Sequence, residues 1–460
     1  MPYLLNLIYL LLILFSLPWL LWQAVRKGKY REGYAAKFLG LVPRRASNKT
    51  CLWLHAVSVG EVNLLAPLLK MIEQQRPDWE CVISTTTATG MALAKKKYPR
   101  QTVFYCPLDF SWAVSAAMRR IRPDVLVLAE LELWPNLIRA ARRSGARVAV
   151  INGRLSEHSF HGYRRIRPLV ARLLRQLDVI AAQDETYAER FRLLGTWPER
   201  VCVTGSMKYD GAQTDRANPT TRRLAALAGF AADDIVLLAG STQEPEEAMA
   251  LDAFRTLSPQ WPQLRLVLVP RHPDRFNAVA KLLDASGIPW QRRTNLGTQT
   301  NDECGMMNDE STTQGSAVRH SSFIIHHSSS LPVPRVLLVD AVGELGAWWG
   351  TAQIAFVGGS LGSRGGQNMI EPAAYGAAVS FGPNTWNFRD IVAMMLAHDA
   401  AVVVGNGEQF TAFVRRCLQQ PDYAATLGER AKMLVLSQLG ATQRTFQILD
   451  TLAQRRCAGL

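Results

Sequence analysis

Ser58-Val-Gly-Glu61 sets a carboxylate three residues after a hydroxyl, directly behind an apolar stretch that ends at His55-Ala56. Gly60 permits a tight turn, and Glu61 opens an amphipathic stretch with helical spacing. A carboxylate at a helix N-terminus has two readings. It stabilises the helix by about 0.3–1 kcal/mol, or, at the carboxyl end of a strand where α/β folds bind ligands, it takes a proton from an acceptor hydroxyl as a general base. Glycine flanks Ser58 only at Gly60, so the Gly-x-Ser-x-Gly elbow is absent and a serine hydrolase is disfavoured.

Ala129-Glu-Leu-Glu-Leu-Trp-Pro-Asn136 ends a second apolar run. Glu130 and Glu132 point the same way while the chain stays extended, and Pro135 suits a helix start. Carboxylates beside an apolar strand need partners: either basic neighbours or a ligand. Ala239-Gly-Ser-Thr-Gln-Glu-Pro-Glu-Glu247 again runs from strand to helix. There Ser241, Thr242 and the backbone N–H groups can hold a phosphate, and an ordinary hydroxyl N-cap explains the same residues. Arg271 and His272 follow the next apolar run, where Arg271 can neutralise a phosphate or carboxylate or form a surface ion pair.

The fourth motif is glycine-rich, with Gly358, Gly359, Gly362, Gly365 and Gly366 ahead of Asn368-Met-Ile-Glu371-Pro. Each glycine costs conformational entropy on folding, so this many implies close approach of backbone to a ligand. Asn368 and Glu371 share a helix face, and a carboxylate there can accept from both hydroxyls of a ribose. No Gly-x-x-x-x-Gly-Lys-Ser/Thr sequence occurs, which argues against a P-loop nucleotidase.

These motifs need strand ends to carry them. Short apolar runs at 51–56, 81–84, 103–105, 125–129, 148–151, 179–182 and 201–204 alternate with helical stretches at 61–75, 134–143 and 185–194. After a polar, Pro-containing linker at 210–220 the alternation resumes, with strands at 235–239, 266–269, 336–339, 354–357 and 378–381. The pattern predicts an α/β protein with two Rossmann-like domains, 26–213 and 214–420, facing a cleft, and a helical segment over 421–460. Residues 293–331 have no period and read as a flexible insertion. Its His320, His326 and His327 have no carboxylate or thiol at ligand spacing, so they read as solvated loop residues rather than a metal site.

Residues 1–25 carry no charged side chain, and Arg26, Lys27, Lys29 and Arg31 follow them. The apolar run covers the ~20 residues that cross a bilayer, so a spanning or deeply inserted membrane anchor is expected, with the rest of the chain cytoplasmic, and a buried helix of the soluble domain is the alternative. No Lys or Arg precedes the run and no small-x-small cleavage site follows it, unlike a signal peptide. The chain of 460 residues is 48% hydrophobic, which excludes a disordered polymer. Its net charge of +14 favours acidic ligands, nucleic acid or anionic membrane. Seven scattered cysteines without a Cys-x-x-Cys pair argue for a reducing compartment and against a zinc knuckle.

In this order the motifs resemble those of the 3-deoxy-D-manno-octulosonic acid (Kdo) transferases, which add Kdo to the lipid A precursor of lipopolysaccharide. The resemblance runs from the N-terminal segment to about Arg389. It rests on Ser58–Glu61, Thr85-Thr-Thr-Ala-Thr-Gly90, Glu132-Leu-Trp-Pro-Asn136, Arg154-Leu-Ser156, Val203-Thr-Gly205, Gly240-Ser-Thr242, Pro270-Arg-His-Pro273, Gly343-Glu-Leu345, Phe356-Val-Gly-Gly-Ser360 and Asn368 through Pro372. It implies a GT-B fold, an inverting transfer from CMP-Kdo to a lipid A precursor, and chemistry that needs no metal or other cofactor.

Carried over by motif, Glu61 would be the base and Glu132 a second active-site carboxylate. Ser58, Gly60 and Arg154 would lie on the acceptor side. Arg271, His272, Gly343, Asn368 and Glu371 would hold the donor, with Ser241 and Thr242 close to its phosphate. The basic charge is then matched by the acidic donor, the phosphorylated lipid and the anionic inner membrane, with no nucleic acid needed to explain it.

Two departures stand out. Gly365-Gly-Gln-Asn368 replaces the family's usual Gly-Gly-His-Asn, putting a neutral amide where a charge-switching group is common. Asp340-Ala-Val-Gly-Glu-Leu345 replaces Asp-Thr-Met-Gly-Glu-Leu. The competing readings are a transferase using another nucleotide sugar, such as a UDP-sugar, on a membrane lipid, and a non-catalytic lipid-binding relative. Retention of both Glu61 and Glu132 speaks against the second.

Overall fold

The computed structural model describes residues 2–27, 32–297 and 334–457. The chain divides into two compact units, one of residues up to Gly211 together with those from Gln438 onward, the other Ala212–Ser437.

The first unit is built on a seven-stranded sheet of β1 (Cys51–His55), β2 (Glu80–Thr85), β3 (Thr102–Tyr105), β4 (Val125–Ala129), β5 (Arg147–Gly153), β6 (Val179–Ala182) and β7 (Val201–Val203). Their order is β3-β2-β1-β4-β5-β6-β7, and the pairings are parallel. Strands covered by helices on both faces read as unbroken apolar runs, and every residue of β1 and β4 is buried. Leu54 sits in register with Ile83 on one side and Val127 on the other. The direction of chain progress reverses between β1 and β4. The carboxyl ends of two such neighbours frame the crevice in which α/β sheets bind ligands.

The expected helices form, with ends set by capping. The first spans Val59–Gln75 rather than starting at Glu61, because Ser58 is its N-cap. The second runs Pro135–Arg143 with Trp134 as N-cap, and the third, Glu185–Leu193, is capped by Asp184.

The second unit has its own seven-stranded sheet, from β8 (Ile235–Thr242), β9 (Leu264–Pro270), β10 (Trp290–Arg292), β11 (Val336–Leu338), β12 (Ile354–Val357), β13 (Ala378–Phe381) and β14 (Val402–Val403). The order β10-β11-β9-β8-β12-β13-β14 places its reversal between β8 and β12. β10 and β14 are short, partly exposed edge strands that escape sequence reading: β10 is Trp-Gln-Arg without an apolar run, and β14 pairs over only two residues of the apolar stretch 400–404.

The C-terminal stretch is two helices, Pro421–Ser437 and Ala441–Cys457, separated at Gly440, whose φ is 90°. The last helix belongs to the first unit. Its Phe446, Leu449 and Ala453 pack in one core cluster with Leu65, Leu68 and Val127. Asp450 accepts a bidentate pair from Arg76 at 2.7 and 2.9 Å. Asp210 accepts the N–H of Gly440 at 2.7 Å and that of Thr442, which fixes where this helix begins.

Of the predicted insertion, residues 293–297 form a 3-10 turn. Arg293 meets Glu344 through two bonds of 2.9 Å, and Thr294 donates to Asp340. Residues 298–331, with His320, His326 and His327, lie outside the described residues.

The N-terminal helix, Pro2–Lys27, contains Pro18 and exposes Leu4, Leu7, Leu11, Leu14 and Phe15. Among the described residues no helix is long and apolar enough to cross a membrane, so the membrane anchor expected over residues 1–25 is not supported as a spanning helix. Asn6, Ser16 and Pro18 interrupt the apolar run. Asn6 and Tyr9 face the globular unit, bonding Ser111 and Asp109.

Candidate active site

The first carboxylate, Glu61, folds back on its own helix. Its Oε1 accepts from the Ser58 hydroxyl and its Oε2 from the Val57 N–H, both at 2.8 Å, while Ser58 Oγ accepts the Glu61 N–H at 3.4 Å. This is a capping box, each end residue satisfying a donor of the other. Glu61 thus has a capping role at the start of its helix. Gly60 is not needed for a tight turn: it lies inside the helix, and an added Cβ would meet only Ser58 Oγ at 3.7 Å. Burial pushes the Glu61 carboxyl up and the charge of Glu130 adds to the rise, against the pull of the Val57 and Ser58 hydrogen bonds.

The threonines of the Thr85–Gly90 motif hold this turn in place. The hydroxyls of Thr85, Thr86 and Thr87 all point to the Val57 carbonyl, at 3.0, 3.4 and 3.2 Å. Gly90 packs against them, where a Cβ would fall 2.6 Å from Thr85 Oγ1.

After β4 the chain does not stay extended. Glu130 takes a left-handed conformation with φ 56° and pairs with Lys208 at 3.3 Å. The premise that placed Glu130 and Glu132 in one direction thus fails at Glu130, and one of the two finds the basic neighbour that burial demands. Glu132 instead accepts from the Trp134 indole at 3.0 Å. Burial, then the charge of Glu61, push its carboxyl up to about 7, with Glu130 contributing and the Trp134 bond opposing. Glu61, Glu130 and Glu132 thus form one electrostatic group at the reversal point of the first sheet. Arg154 follows the carboxyl end of β5, half-buried.

In the second unit, Ser241 and Thr242 lie within β8 rather than at a helix start. The helix Glu246–Leu257 begins later and has no side-chain cap, so the N-cap reading of these hydroxyls is not realised. Ser241 has φ 56°, the register with β9 shifts between Gly240 and Thr242, and Thr242 Oγ1 is buried without a hydrogen-bond partner. Arg271 leaves the end of β9, and its backbone N–H donates to the Thr242 carbonyl at 3.0 Å. His272 precedes the short turn Pro273–Arg275, at its N-cap position but without a side-chain capping bond.

Asn368 and Glu371 come together as their spacing implies. Asn368 Nδ2 donates to Glu371 Oε1 at 3.0 Å, and Asn368 Oδ1 accepts the Ile370 N–H at 3.1 Å. Burial raises the Glu371 carboxyl, with the Asn368 bond and the Arg271 charge pulling the other way. Arg271, Asn368 and Glu371 are thereby one neighbourhood. Gly343 sits in a turn at φ 95° with open space around its α-carbon.

Four polar residues with tertiary partners left no clear mark in the sequence. Asp109, Lys208 and Arg293 act through tertiary partners only. The fourth is Glu246, whose buried carboxylate accepts the backbone N–H groups of Gln243, Gly359, Ser360 and Leu361 at 2.8–3.1 Å. The first amides of the glycine-rich loop are therefore occupied by a side chain of the protein itself. Gly358 is required for this closeness: a Cβ there would lie 2.6 Å from Thr242 Cα. Among the described residues no group of three His, Cys, Asp or Glu is placed to hold a metal ion.

Known proteins resemble the chain in sequence and in fold. Residues 32–211 match the family model of the 3-deoxy-D-manno-octulosonic-acid transferases (Kdotransferases). The chain is 30% identical to the 3-deoxy-D-manno-octulosonic acid transferase of Haemophilus influenzae, over 94% of each sequence. It is likewise 30% identical to that of Bordetella pertussis, over 94% of this chain and 95% of the relative. Among solved structures, the UDP-GlcNAc 2-epimerase of Neisseria meningitidis superposes with a TM-score of 0.56 at 12% identity, covering 87% of this chain and all of that one. That likeness shows the fold, two parallel-sheet α/β units of GT-B type. Identity over nearly the full length and the matched family model together show that the chain belongs to the 3-deoxy-D-manno-octulosonic acid transferase family and is a glycosyltransferase.

Proposed function

We propose that the chain transfers Kdo from CMP-Kdo to a lipid A precursor with inversion at the anomeric carbon, at the cytoplasmic face of the inner membrane. The observation that carries this reading is the group formed by Glu61 and Glu132 at the reversal point of the first sheet, both carboxyls raised by burial. A base with a pKa brought towards neutrality is suited to take a proton from a sugar hydroxyl. Glu61 does so as that oxygen attacks the anomeric carbon and the bond to the CMP phosphate breaks. Glu132 orients the acceptor or the base, with Ser58, Gly60 and Arg154 on the acceptor side.

On the donor side, Glu371, ordered by Asn368, takes the ribose hydroxyls. Arg271 and His272, with Ser241 and Thr242 near them, meet the departing phosphate, and the open turn at Gly343 admits the nucleotide. Opposing positive charge stabilises the leaving group most where water is excluded. In this reading neither a metal nor another cofactor takes part.

The N-terminal helix presents its exposed Leu and Phe side chains to the lipid, and Arg26, Lys27, Lys29 and Arg31 meet anionic headgroups. An inserted helix held on one side by the protein needs only part of the apolar length of a spanning one.

The test is transfer of radiolabelled Kdo from freshly generated CMP-Kdo to a lipid A precursor by detergent-purified protein, with and without chelator. Labelled lipid in both supports the reading and metal independence, and the number of sugars per lipid reads out how many are added. With donor and acceptor validated, absence of product from folded protein moves the assignment to another nucleotide sugar or to a non-catalytic relative.

A further inference from the structure

We propose that Asp109 is a positioning residue for Glu132, and that Asn6 makes the N-terminal helix part of the same support. The proposal rests on the role given to Glu132 above and extends it to residues outside the active site.

The helix that follows Glu132, Pro135–Arg143, has no side-chain cap of its own, since Trp134 occupies the N-cap position. The N–H groups of a helix's first turn need acceptors when buried. Here Asp109 supplies them: its Oδ2 accepts the Asn136 N–H at 3.0 Å and its Oδ1 the Leu137 N–H at 2.8 Å. Asp109 is 3% exposed and comes from a different part of the chain, just before the helix Ser111–Ile121. The residue preceding the capped turn, Trp134, is the one whose indole holds Glu132. Two short steps therefore connect the Asp109 carboxylate to the Glu132 carboxylate.

The N-terminal helix joins this support through polar side chains in an otherwise apolar run. Asn6 Oδ1 accepts the Ser111 N–H at 3.0 Å and the Asn136 side-chain amide at 3.4 Å, while Asn6 Nδ2 donates to Ser111 Oγ at 2.7 Å. The Asn136 amide also donates to the Asp109 carbonyl at 2.6 Å. Tyr9 donates its hydroxyl to Asp109 Oδ2 at 3.1 Å, its ring meeting Phe110 edge-on at 6.1 Å. Asn6 is 6% exposed and Asn136 3%. A buried amide is costly unless bonded; these two bond one another, and Asn6 takes the first N–H of the helix Ser111–Ile121. Asn136, the last residue of the Glu-Leu-Trp-Pro-Asn motif, is thereby the point where the N-terminal helix touches the loop of Glu132. Seating of that helix and placement of the carboxylate become one event.

The test compares the wild-type chain with Asn6→Leu, Tyr9→Phe and Asp109→Asn, purified full-length in detergent. Measured for each are kcat and KM for donor and acceptor, CMP affinity by calorimetry, the melting temperature, and amide exchange at Asn136 and Leu137. Expected in Asn6→Leu is a fall in kcat of about 10- to 100-fold, the usual cost of a displaced reacting group. Donor KM and CMP affinity stay at wild-type values, and exchange at the two amides quickens. Tyr9→Phe, which keeps the ring, gives a smaller change of the same kind and serves if Asn6→Leu folds poorly. Asp109→Asn, which takes one acceptor oxygen from the Asn136 and Leu137 N–H groups, lowers kcat in the same way. Wild-type kcat in all three variants, or a loss that only tracks the fraction of CMP-competent protein, overturns the proposal. Failure of the wild-type chain to transfer Kdo would instead fail the functional reading, and amide exchange would still decide the support: unchanged exchange in all three variants overturns it.

Discussion

Glu246 and Ser360 meet at 3.0 Å, a carboxylate oxygen of one helix's first turn on the backbone N–H of the glycine-rich loop that follows a neighbouring strand. Because the same carboxylate also takes Gln243, Gly359 and Leu361, it does for this loop what a bound anion does for others. The loop is shaped before any donor arrives.

Replacing Glu246 by Gln should therefore be costly. An amide keeps one acceptor and turns a donor group toward N–H groups, and each buried donor left unpaired costs about 1–3 kcal/mol. The expected outcome is a clear loss of thermal stability in the second unit, with CMP affinity reduced at least about tenfold, or 1.4 kcal/mol. Calorimetric titration of CMP checks it, and wild-type affinity would show that loop shape is held by other contacts.

Glu61→Gln separates the two duties of Glu61. Glutamine serves in a capping box as glutamate does, so stability should change by less than about 1 kcal/mol. Transfer should be abolished and CMP binding kept. In the wild-type chain the base must be ionised, and its carboxyl is raised, so the acid limb of the kcat/KM profile should lie above the ordinary glutamate range. Transfer at the wild-type rate by Glu61→Gln would remove this residue from the base role.

The fold was more legible than the support of the site. Strands such as Val125–Ala129, buried on both faces, advertise themselves as apolar runs, whereas Trp290–Arg292 at the sheet edge does not. Strand ends then located Glu61, Glu132, Arg271 and the pair Asn368 and Glu371. Asp109, Glu246 and Lys208 were not legible because their partners are backbone N–H groups or a residue far along the chain. A peptide group gives no residue-type signal at either position. The Ser58-x-x-Glu61 spacing was a readable cap signature, and the long apolar N-terminal run concealed that Asn6 and Tyr9 point into the protein.

Glu132 should destabilise the fold when ionised. Its carboxyl is raised to about 7, so the folded state binds the proton more tightly than the unfolded chain, whose glutamate titrates near its ordinary value. The favourable contribution is complete below that ordinary value and is lost as pH rises through about 7. Glu132→Gln removes the penalty. At pH 8 the variant should melt about 2–4 °C higher, the shift of roughly 1 kcal/mol in a domain of this size, solvent screening keeping the gain modest. At pH 5 the difference should shrink. Equal melting temperatures at both pH values would show that Glu132 is not held in a raised state.

Two glycines near the site should respond oppositely to alanine. At Gly358 a methyl would lie 2.6 Å from Thr242 Cα and 2.7 Å from the Ser241 carbonyl, backbone atoms that cannot swing aside. Gly358→Ala should cost about 1–3 kcal/mol, as overpacking does, and weaken CMP binding by displacing the end of β8. Gly60 is helical and open, with only Ser58 Oγ at 3.7 Å, so alanine there should be neutral or stabilising by up to about 1 kcal/mol. The space a methyl would fill borders Glu61. If the acceptor approaches this helix end, Gly60→Ala should raise the acceptor KM several-fold while donor KM and melting temperature hold. An unchanged acceptor KM would place the lipid's approach elsewhere on the first unit.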